Sequence, residues 1–154
     1  MRAVALGIAL VVLAGVALTT PVAVLGLDPG ARVYALPDGA RYEYSYQQSI
    51  YQVPVTEEHV RVGETLRIVR VRSPDLRAVE YFRWDGQIRR EGDEFVQDAP
   101  PNHMSTFAIA VTREGAQRLR GDGFDLVLRA DFGDTVVTLT PAYVPRFVAL
   151  IGRR

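Results

Sequence analysis

The side chains that could do chemistry concentrate in residues 44–59, Tyr-Ser-Tyr-Gln-Gln-Ser-Ile-Tyr-Gln-Val-Pro-Val-Thr-Glu-Glu-His. His59 together with Glu57 or Glu58 could supply two ligands to a metal ion, and His103 is the only other histidine in the chain. Metal sites need three or four ligands at characteristic spacings, and these residues show no such spacing. We therefore expect no metal and no cofactor.

A serine nucleophile would need one of the two histidines as its base. The candidate serines lack a nucleophile elbow or any other flanking motif; they are Ser45, Ser49, Ser73 and Ser105. Adjacent carboxylates point to opposite faces of a regular strand, which does not suit two-carboxylate glycoside hydrolysis. We expect no catalytic residue, and the alternative is a hydrolase or metal-dependent enzyme that uses Glu57, Glu58, His59 and His103.

Three tyrosines precede the turn of this window. Tyr42, Tyr44 and Tyr46 alternate with polar residues, so on a strand their rings share one face. Such a face is typical of a core or of the space between two sheets, with hydroxyls near the rim. The other interpretation is a stacking platform for a sugar. A carbohydrate-binding module that uses these rings and Trp84 is therefore a further alternative.

The second half of the window predicts a turn and then an irregular strand. Pro54 has no N–H for a sheet ladder, which places it at a sheet edge or a strand start and leaves residues 47–51 as the turn. The valines of residues 53–55 and of residues 60–62 alternate in opposite phases, which predicts a β-bulge at residues 57–58.

Residues of turns and bulges are less committed to a core than regular strand residues, so a binding site is expected among them. The candidates are Tyr46, Gln48, Ser49, Tyr51, Glu57 and Glu58.

The elements that must position these residues are predicted to be strands. Beyond residue 30, turn dipeptides alternate with short runs rich in Val, Ile, Tyr, Phe and Thr. About seven to nine strands without a crossover helix predict an all-β fold, an antiparallel β-sandwich or a partly open barrel. Hairpins are expected at Gly63, across Asp85 and Gly86, and across Gly133 and Asp134.

Three further segments complete this outline. Residues 113–119 could form one helical turn, residues 98–103 a surface loop, and the apolar residues 147–151 a closing strand. Residues 31–154 are expected to form a single β-domain, because the sequence contains no repeat, low-complexity tract or linker that would divide it.

The chain begins with an apolar run. Arg2 precedes uncharged residues 3–27, long enough as a helix to cross a hydrocarbon core of about 30 Å. We expect residues 1–27 to be a retained membrane anchor, with the rest of the chain outside the cytoplasm because the positive end stays inside. The alternative is a signal peptide cleaved after Ala17 and a secreted product, which would leave an apolar mature terminus.

Composition narrows the classes of partner. The 18 basic and 18 acidic residues balance, so the chain has no net positive charge that would attract a nucleic acid backbone. It contains no cysteine, which excludes disulfides, thiolate metal sites and a cysteine nucleophile.

Residues 48–59 resemble the signature of the bacterial family known as domain of unknown function eighteen-fifty. That signature has a His-Ser-Val segment, a Pro-Val a few residues later, and then Glu and an aromatic residue. The positions that agree are Ser49, Pro54, Val55, Glu57 and Glu58. Gln48, Tyr51 and His59 stand where the family usually has a histidine, an acidic residue and an aromatic residue.

The resemblance implies a small exported or membrane-tethered protein of unknown activity, commonly encoded beside TAXI-type TRAP transporters for organic acids. With the apolar N-terminus and the missing catalytic spacing, it leads us to expect a non-catalytic extracytoplasmic accessory or binding module. A transporter subunit is the partner that the resemblance suggests, and no small-molecule ligand is identified.

Overall fold

A computed structural model describes residues 15–152 of the chain. Residues 15–19 are helical, and fourteen further elements follow. The strands are β1 (Pro21–Asp28), β2 (Arg32–Ala35), β3 (Arg41–Gln48), β4 (Val53–Val62), β5 (Thr65–Ser73), β6 (Ile88–Glu91), β7 (Glu94–Asp98), β8 (Phe107–Ala110), β9 (Arg118–Gly121), β10 (Phe124–Val127) and β11 (Val136–Pro145). The helices are α1 (Leu76–Glu80), α2 (Leu128–Phe132) and α3 (Arg146–Ile151).

The strands form two antiparallel sheets. One has the order β2-β1-β11-β8, and the other has the order β10-β9-β3-β4-β5-β7-β6. A shared core lies between them, with Leu25 and Leu139 from the smaller sheet against Tyr42, Tyr44 and Leu119 from the larger one. The predicted all-β class is confirmed, because strands account for 51% of the described residues and helices for 15%, in an arrangement consistent with a sandwich. The eleven strands exceed the expected seven to nine because several are only four residues long.

The larger sheet extends beyond the smaller one, and α1 covers part of this extension. Asp75 caps α1 by accepting a hydrogen bond from the backbone N–H of Arg77, while Ala78 and Val79 are buried against a second apolar cluster. That cluster includes Val55 and Val71 from the sheet. A short capped helix with two buried residues therefore closes this half of the sheet.

The predicted hairpin at Gly63 is confirmed, since β4 pairs with β5 around it and its φ is +59°. The prediction of a hairpin across Asp85 and Gly86 is wrong. The chain there leaves α1 in a loop, and the turn at Gly92 joins β6 to β7 instead. Burial of α1 outweighs the local turn preference of the Asp-Gly pair.

The hairpin across Gly133 and Asp134 is also wrong, because β10 belongs to the larger sheet and β11 to the smaller one. Helix α2 connects the two sheets, and its first residue, Leu128, is buried. The apolar residues 147–151 form α3 rather than a closing strand. Residues 113–119 form a turn and the start of β9, without a helical turn.

The apolar N-terminal run divides at Pro21. Residues 21–27, predicted to continue an anchor helix, lie in β1, which is hydrogen bonded to β2 on one side and to β11 on the other. Leu25 and Leu27 are buried in the core. The β-fold therefore includes residues N-terminal to position 31. Residues 1–14 of the predicted anchor lie outside the described residues, and within residues 15–152 no helix is both long and apolar enough to span a bilayer.

Candidate functional site

The inner face of β4 carries a row of polar and charged side chains. Val55, Glu57, His59 and Arg61 are all buried, so the alternation along β4 is unbroken. The pairing of β4 with β5 is irregular near the predicted bulge at residues 57–58. The extra residue belongs to β5 and not to β4, because Glu58 pairs with Arg70 and His59 with Ile68. Val60 and Val62, expected to share the core face, point to the opposite face.

Glu57 and His59 form a buried pair. His59 Nε2 lies 3.1 Å from Glu57 Oε2, with His59 fully buried and Glu57 6% exposed. The imidazole stacks on Tyr42 at 4.9 Å between ring centroids and contacts Phe107 at 4.8 Å. Its Nδ1 is buried without a hydrogen-bond partner in the structure. Enclosed by rings in this way, the pair offers no surface to a substrate.

Arg61 is the largest fully buried side chain among the described residues. Its guanidinium donates to the backbone carbonyls of Val24 at 2.6 Å, Leu36 at 3.2 Å, Gly63 at 2.8 Å and Ala142 at 3.1 Å. The ring of Tyr143 lies 4.8 Å from its central carbon. Arg61 therefore ties β4 of the larger sheet to β1 and β11 of the smaller one.

The three tyrosines share one face, as predicted, and that face is the core. Burial raises the pKa of Tyr42, Tyr44 and Tyr46 above the ordinary tyrosine value, and the nearby Glu57 carboxylate raises each pKa further. Tyr42 is only 1% exposed, and Trp84 packs in the separate cluster beneath α1. These four rings therefore do not form a common exposed platform for a sugar.

Tyr46 connects this interior to a surface cleft. It stacks on Tyr44 at 5.0 Å and is the most exposed of the three tyrosines on β3. The cleft measures about 390 Å³ and lies between the β3–β4 turn, the end of α1 and the β8–β9 loop. Its lining residues are Tyr46, Gln47, Gln48, Ser49, Ile50, Tyr81, Thr112, Glu114, Gly115 and Gln117.

The walls of this cleft are fixed by hydrogen bonds between the loops. The backbone N–H of Gln47 donates to the carbonyl of Gly115 at 2.7 Å, which joins β3 to the β8–β9 loop. Gln117 accepts from the backbone N–H of Thr112 and donates to the carbonyl of Ala110. A Cβ added at Gly115 would overlap the Gln117 amide, so a larger residue there would displace this side chain and its hydrogen bonds.

Gln48 contributes a preorganised amide. Its Oε1 accepts from the backbone N–H of Tyr51 at 2.9 Å, which closes the turn and holds the side chain in place. The amide NH2 is then the part of Gln48 that can donate to a ligand. With Ser49, Tyr46 and Tyr81, the cleft combines hydroxyl and amide donors with aromatic surface.

The structure brings together half of the predicted site residues. Tyr46, Gln48 and Ser49 line the cleft. Tyr51 lies under the guanidinium of Arg77, at 4.9 Å. Glu57 is in the core, and Glu58 points to the outer face of the larger sheet. There Glu58 pairs with Arg41 and, at 2.6 Å, with Arg70.

The pairing of Glu58 affects its acidity. Partial burial opposes ionisation of Glu58, but the hydrogen bonds from Arg41 and Arg70 outweigh it and lower the pKa of this carboxyl below the ordinary value. Glu58 is thus a charged member of an ion-pair network and faces away from the cleft.

The sequence interpretation missed the far wall of the cleft. Tyr81, Thr112, Glu114, Gly115 and Gln117 come from segments 30 to 70 residues away, roughly, and no local pattern connects them to the window.

The histidines are separated in the structure. His59 lies in the core, whereas His103 is on the surface beside Thr65, with 3.2 Å between its Nδ1 and the Thr65 hydroxyl. Among residues 15–152 there is no cluster of three or more metal-ligating side chains.

No protein-family model, curated protein or solved structure matches the chain.

Proposed function

We propose that the protein is a non-catalytic extracytoplasmic accessory module. Its cleft at the β3–β4 turn binds a segment of a partner protein. The partner that the sequence resemblance suggests is a subunit of a TAXI-type TRAP transporter. The observation that supports the proposal is the cleft itself. It combines aromatic walls, a fixed amide at Gln48 and loop residues locked by hydrogen bonds. Clefts of this size and mixed polarity are typical of binding sites.

The charges of the lining favour a polypeptide over the organic acid that such transporters carry. Glu114 lines the cleft, and no Arg is among the lining residues that the structure describes. A free carboxylate ligand would meet this acidic group without a compensating cation. Backbone amides and basic side chains of a partner would instead find hydroxyl, amide and carboxylate acceptors.

We further propose that the segment before β1 tethers the module to the cytoplasmic membrane. Residues 3–20 are apolar and uncharged and end where β1 begins. As a helix, 18 residues extend for about 27 Å, close to the thickness of a hydrocarbon core. Cleavage after Ala17 remains the alternative. It would leave β1 intact, with Val24, Leu25 and Leu27 buried as they are in the structure.

The test is a pull-down from native membranes with the full-length, C-terminally tagged protein. Ser49 is exposed at the mouth of the cleft, so Ser49→Arg fills the cleft without disturbing the core. Ser105→Arg is the matched control, because Ser105 is also exposed and does not line the cleft. We expect a transporter subunit to be recovered with the wild type and with Ser105→Arg, and to be lost with Ser49→Arg.

Two outcomes of the pull-down would refute the proposal. Equal recovery by all three proteins would mean that the cleft is not the binding site, and no recovery by a folded, membrane-bound wild type would remove the accessory role. Turnover of ester, phosphate or glycoside substrates by the full chain would favour the enzyme alternative. Glu57 is left unchanged in these variants, because its removal would leave His59 unpaired in the core.

A further inference from the structure

The two outer faces of the protein differ in chemistry. The outer face of the larger sheet carries a network of Arg–carboxylate pairs that crosses its strands. These pairs include Arg70 with Glu58, Arg72 with Glu43, Arg89 with Asp98 and Arg118 with Asp125. Such a surface is well solvated, and it also discourages association through that sheet.

The outer side of the smaller sheet is covered by α3, which is apolar on both sides. Ala149 is buried on the inner side of α3. Phe147, Leu150 and Ile151 point outward and are 43%, 58% and 68% exposed. Val136 of β11 is exposed as well. A helix that presents three large apolar side chains to water calls for a partner surface.

The apolar N-terminal run reaches the molecule at the start of this helix. Pro21 of β1 is paired with Pro145 of β11, and the backbone N–H of Arg146 donates to the carbonyl of Thr20 at 3.0 Å. Just before Thr20, the helical residues 15–19 also expose Val16 and Leu18. The segment proposed as the tether and the first residue of α3 are therefore joined by a direct hydrogen bond.

We propose that the outward face of α3 lies on the lipid bilayer, with Phe147, Leu150 and Ile151 in the interfacial region. This inference rests on the proposed tether, which would hold α3 at the membrane at high effective concentration. The exposed Arg146 at the start of α3 supplies a cation for lipid phosphates, and the sequence after α3 continues with two further arginines. Apolar side chains flanked by arginines are the composition of interfacial helices.

A protein partner on this face fits the observations less well. Arg146, at the start of α3, is the charged residue next to the exposed apolar group, and the chain segment that precedes β1 carries no charge over residues 3–20. Both features suit a phosphate-bearing surface above a hydrocarbon phase. With α3 on the bilayer, the charged outer face of the larger sheet would point toward water.

The absence of native cysteine allows a direct test on the full chain. Leu150→Cys and Ile151→Cys are labelled with an environment-sensitive fluorophore and reconstituted into phosphatidylcholine–phosphatidylglycerol vesicles. Arg120→Cys is the control, since Arg120 is exposed on the larger sheet. We expect labels at positions 150 and 151 to emit at shorter wavelength, to be quenched by nitroxide-bearing lipids, and to be at least about twofold less sensitive to aqueous iodide than the control label.

The possible failures are distinguishable. Vesicle flotation reports the tether, so a chain that does not float would overturn the tether and this inference together. If the chain floats but all three labels respond equally to iodide, the tether stands and the placement of α3 is wrong. Protection of positions 150 and 151 in native membranes but not in pure lipid vesicles would assign the face to a membrane protein and overturn the lipid proposal.

Discussion

At the scale of single residues, Arg61 has the largest expected effect on stability. Its guanidinium donates to four carbonyls, in buried hydrogen bonds to β1 and the segment after β2 and in partly buried ones to the β4–β5 turn and β11. An apolar side chain of similar length would fill the space but remove the guanidinium donor from all four acceptors. Each unsatisfied buried polar group costs about 1–3 kcal/mol.

We therefore expect Arg61→Met to lower the free energy of unfolding by at least about 3 kcal/mol, with a lower urea midpoint. The free energy of unfolding of Arg61→Lys should lie between those of the wild type and Arg61→Met, because an ammonium keeps the charge but reaches fewer of the carbonyls. Arg120→Met on the outer face is the control and should change stability by less than about 0.5 kcal/mol. Coincident unfolding curves for Arg61→Met and the wild type would show that the four bonds contribute nothing.

Substitution of Tyr42 is expected to raise stability, in contrast to substitution of Arg61. Its hydroxyl is buried and has no hydrogen-bond partner in the structure, while its ring packs against His59. Tyr42→Phe keeps the ring and removes the unsatisfied group, so the free energy of unfolding should rise by about 1 kcal/mol. Urea titration beside Tyr81→Phe, which alters an exposed hydroxyl, measures the difference. A clear loss of stability in Tyr42→Phe would reveal a partner for the hydroxyl.

At the scale of elements, β1 determines where the fold begins. It lies between β2 and β11, and its removal would expose the edges of both strands and the core around Leu36 and Leu139. It also supplies the Val24 carbonyl to Arg61. A four-stranded sheet without one of its two central strands cannot keep its register.

The expected result is that residues 21–154 fold and residues 31–154 do not. Circular dichroism and limited proteolysis of the two purified fragments provide the measurement. The longer fragment should give a strand spectrum and a cooperative urea transition. A cooperative transition from the shorter fragment would mean that β1 is dispensable and that the domain begins near residue 31.

At the scale of the whole molecule, the buried tyrosines predict loss of stability in alkali. Burial and the Glu57 carboxylate raise the pKa of Tyr42, Tyr44 and Tyr46 in the folded protein. In the unfolded chain a tyrosine ionises near pH 10, so the stability due to these groups is complete below about pH 10 and is lost as pH rises beyond it.

Absorbance of phenolate and circular dichroism, followed together against pH, should therefore show that these tyrosines ionise as the protein unfolds. The variant Tyr42→Phe with Tyr44→Phe carries fewer such groups, and its alkaline unfolding should shift to higher pH. Ionisation of the buried tyrosines in a protein that keeps its strand spectrum would contradict this coupling.

The predictable part of the candidate site was local. The turn after β3, the inward tyrosines and the residues Tyr46, Gln48 and Ser49 follow from alternation, from Pro54 and from turn composition, which involve neighbours along the chain. Tyr81, Glu114 and Gln117 were not predictable in the same way. They reach the cleft through α1 and the β8–β9 loop, whose positions depend on sheet order.

The sequence by itself determined the antiparallel all-β class, the hairpin at Gly63 and the shared face of the tyrosines. Each depends on strand alternation or turn chemistry within a few residues. Only the tertiary structure decided that residues 21–27 are a central strand, that residues 147–151 are a helix, and that Glu57, His59 and Arg61 are inside. An apolar run suits a membrane or a core equally well, and a charged side chain can be buried only where distant carbonyls or rings receive it.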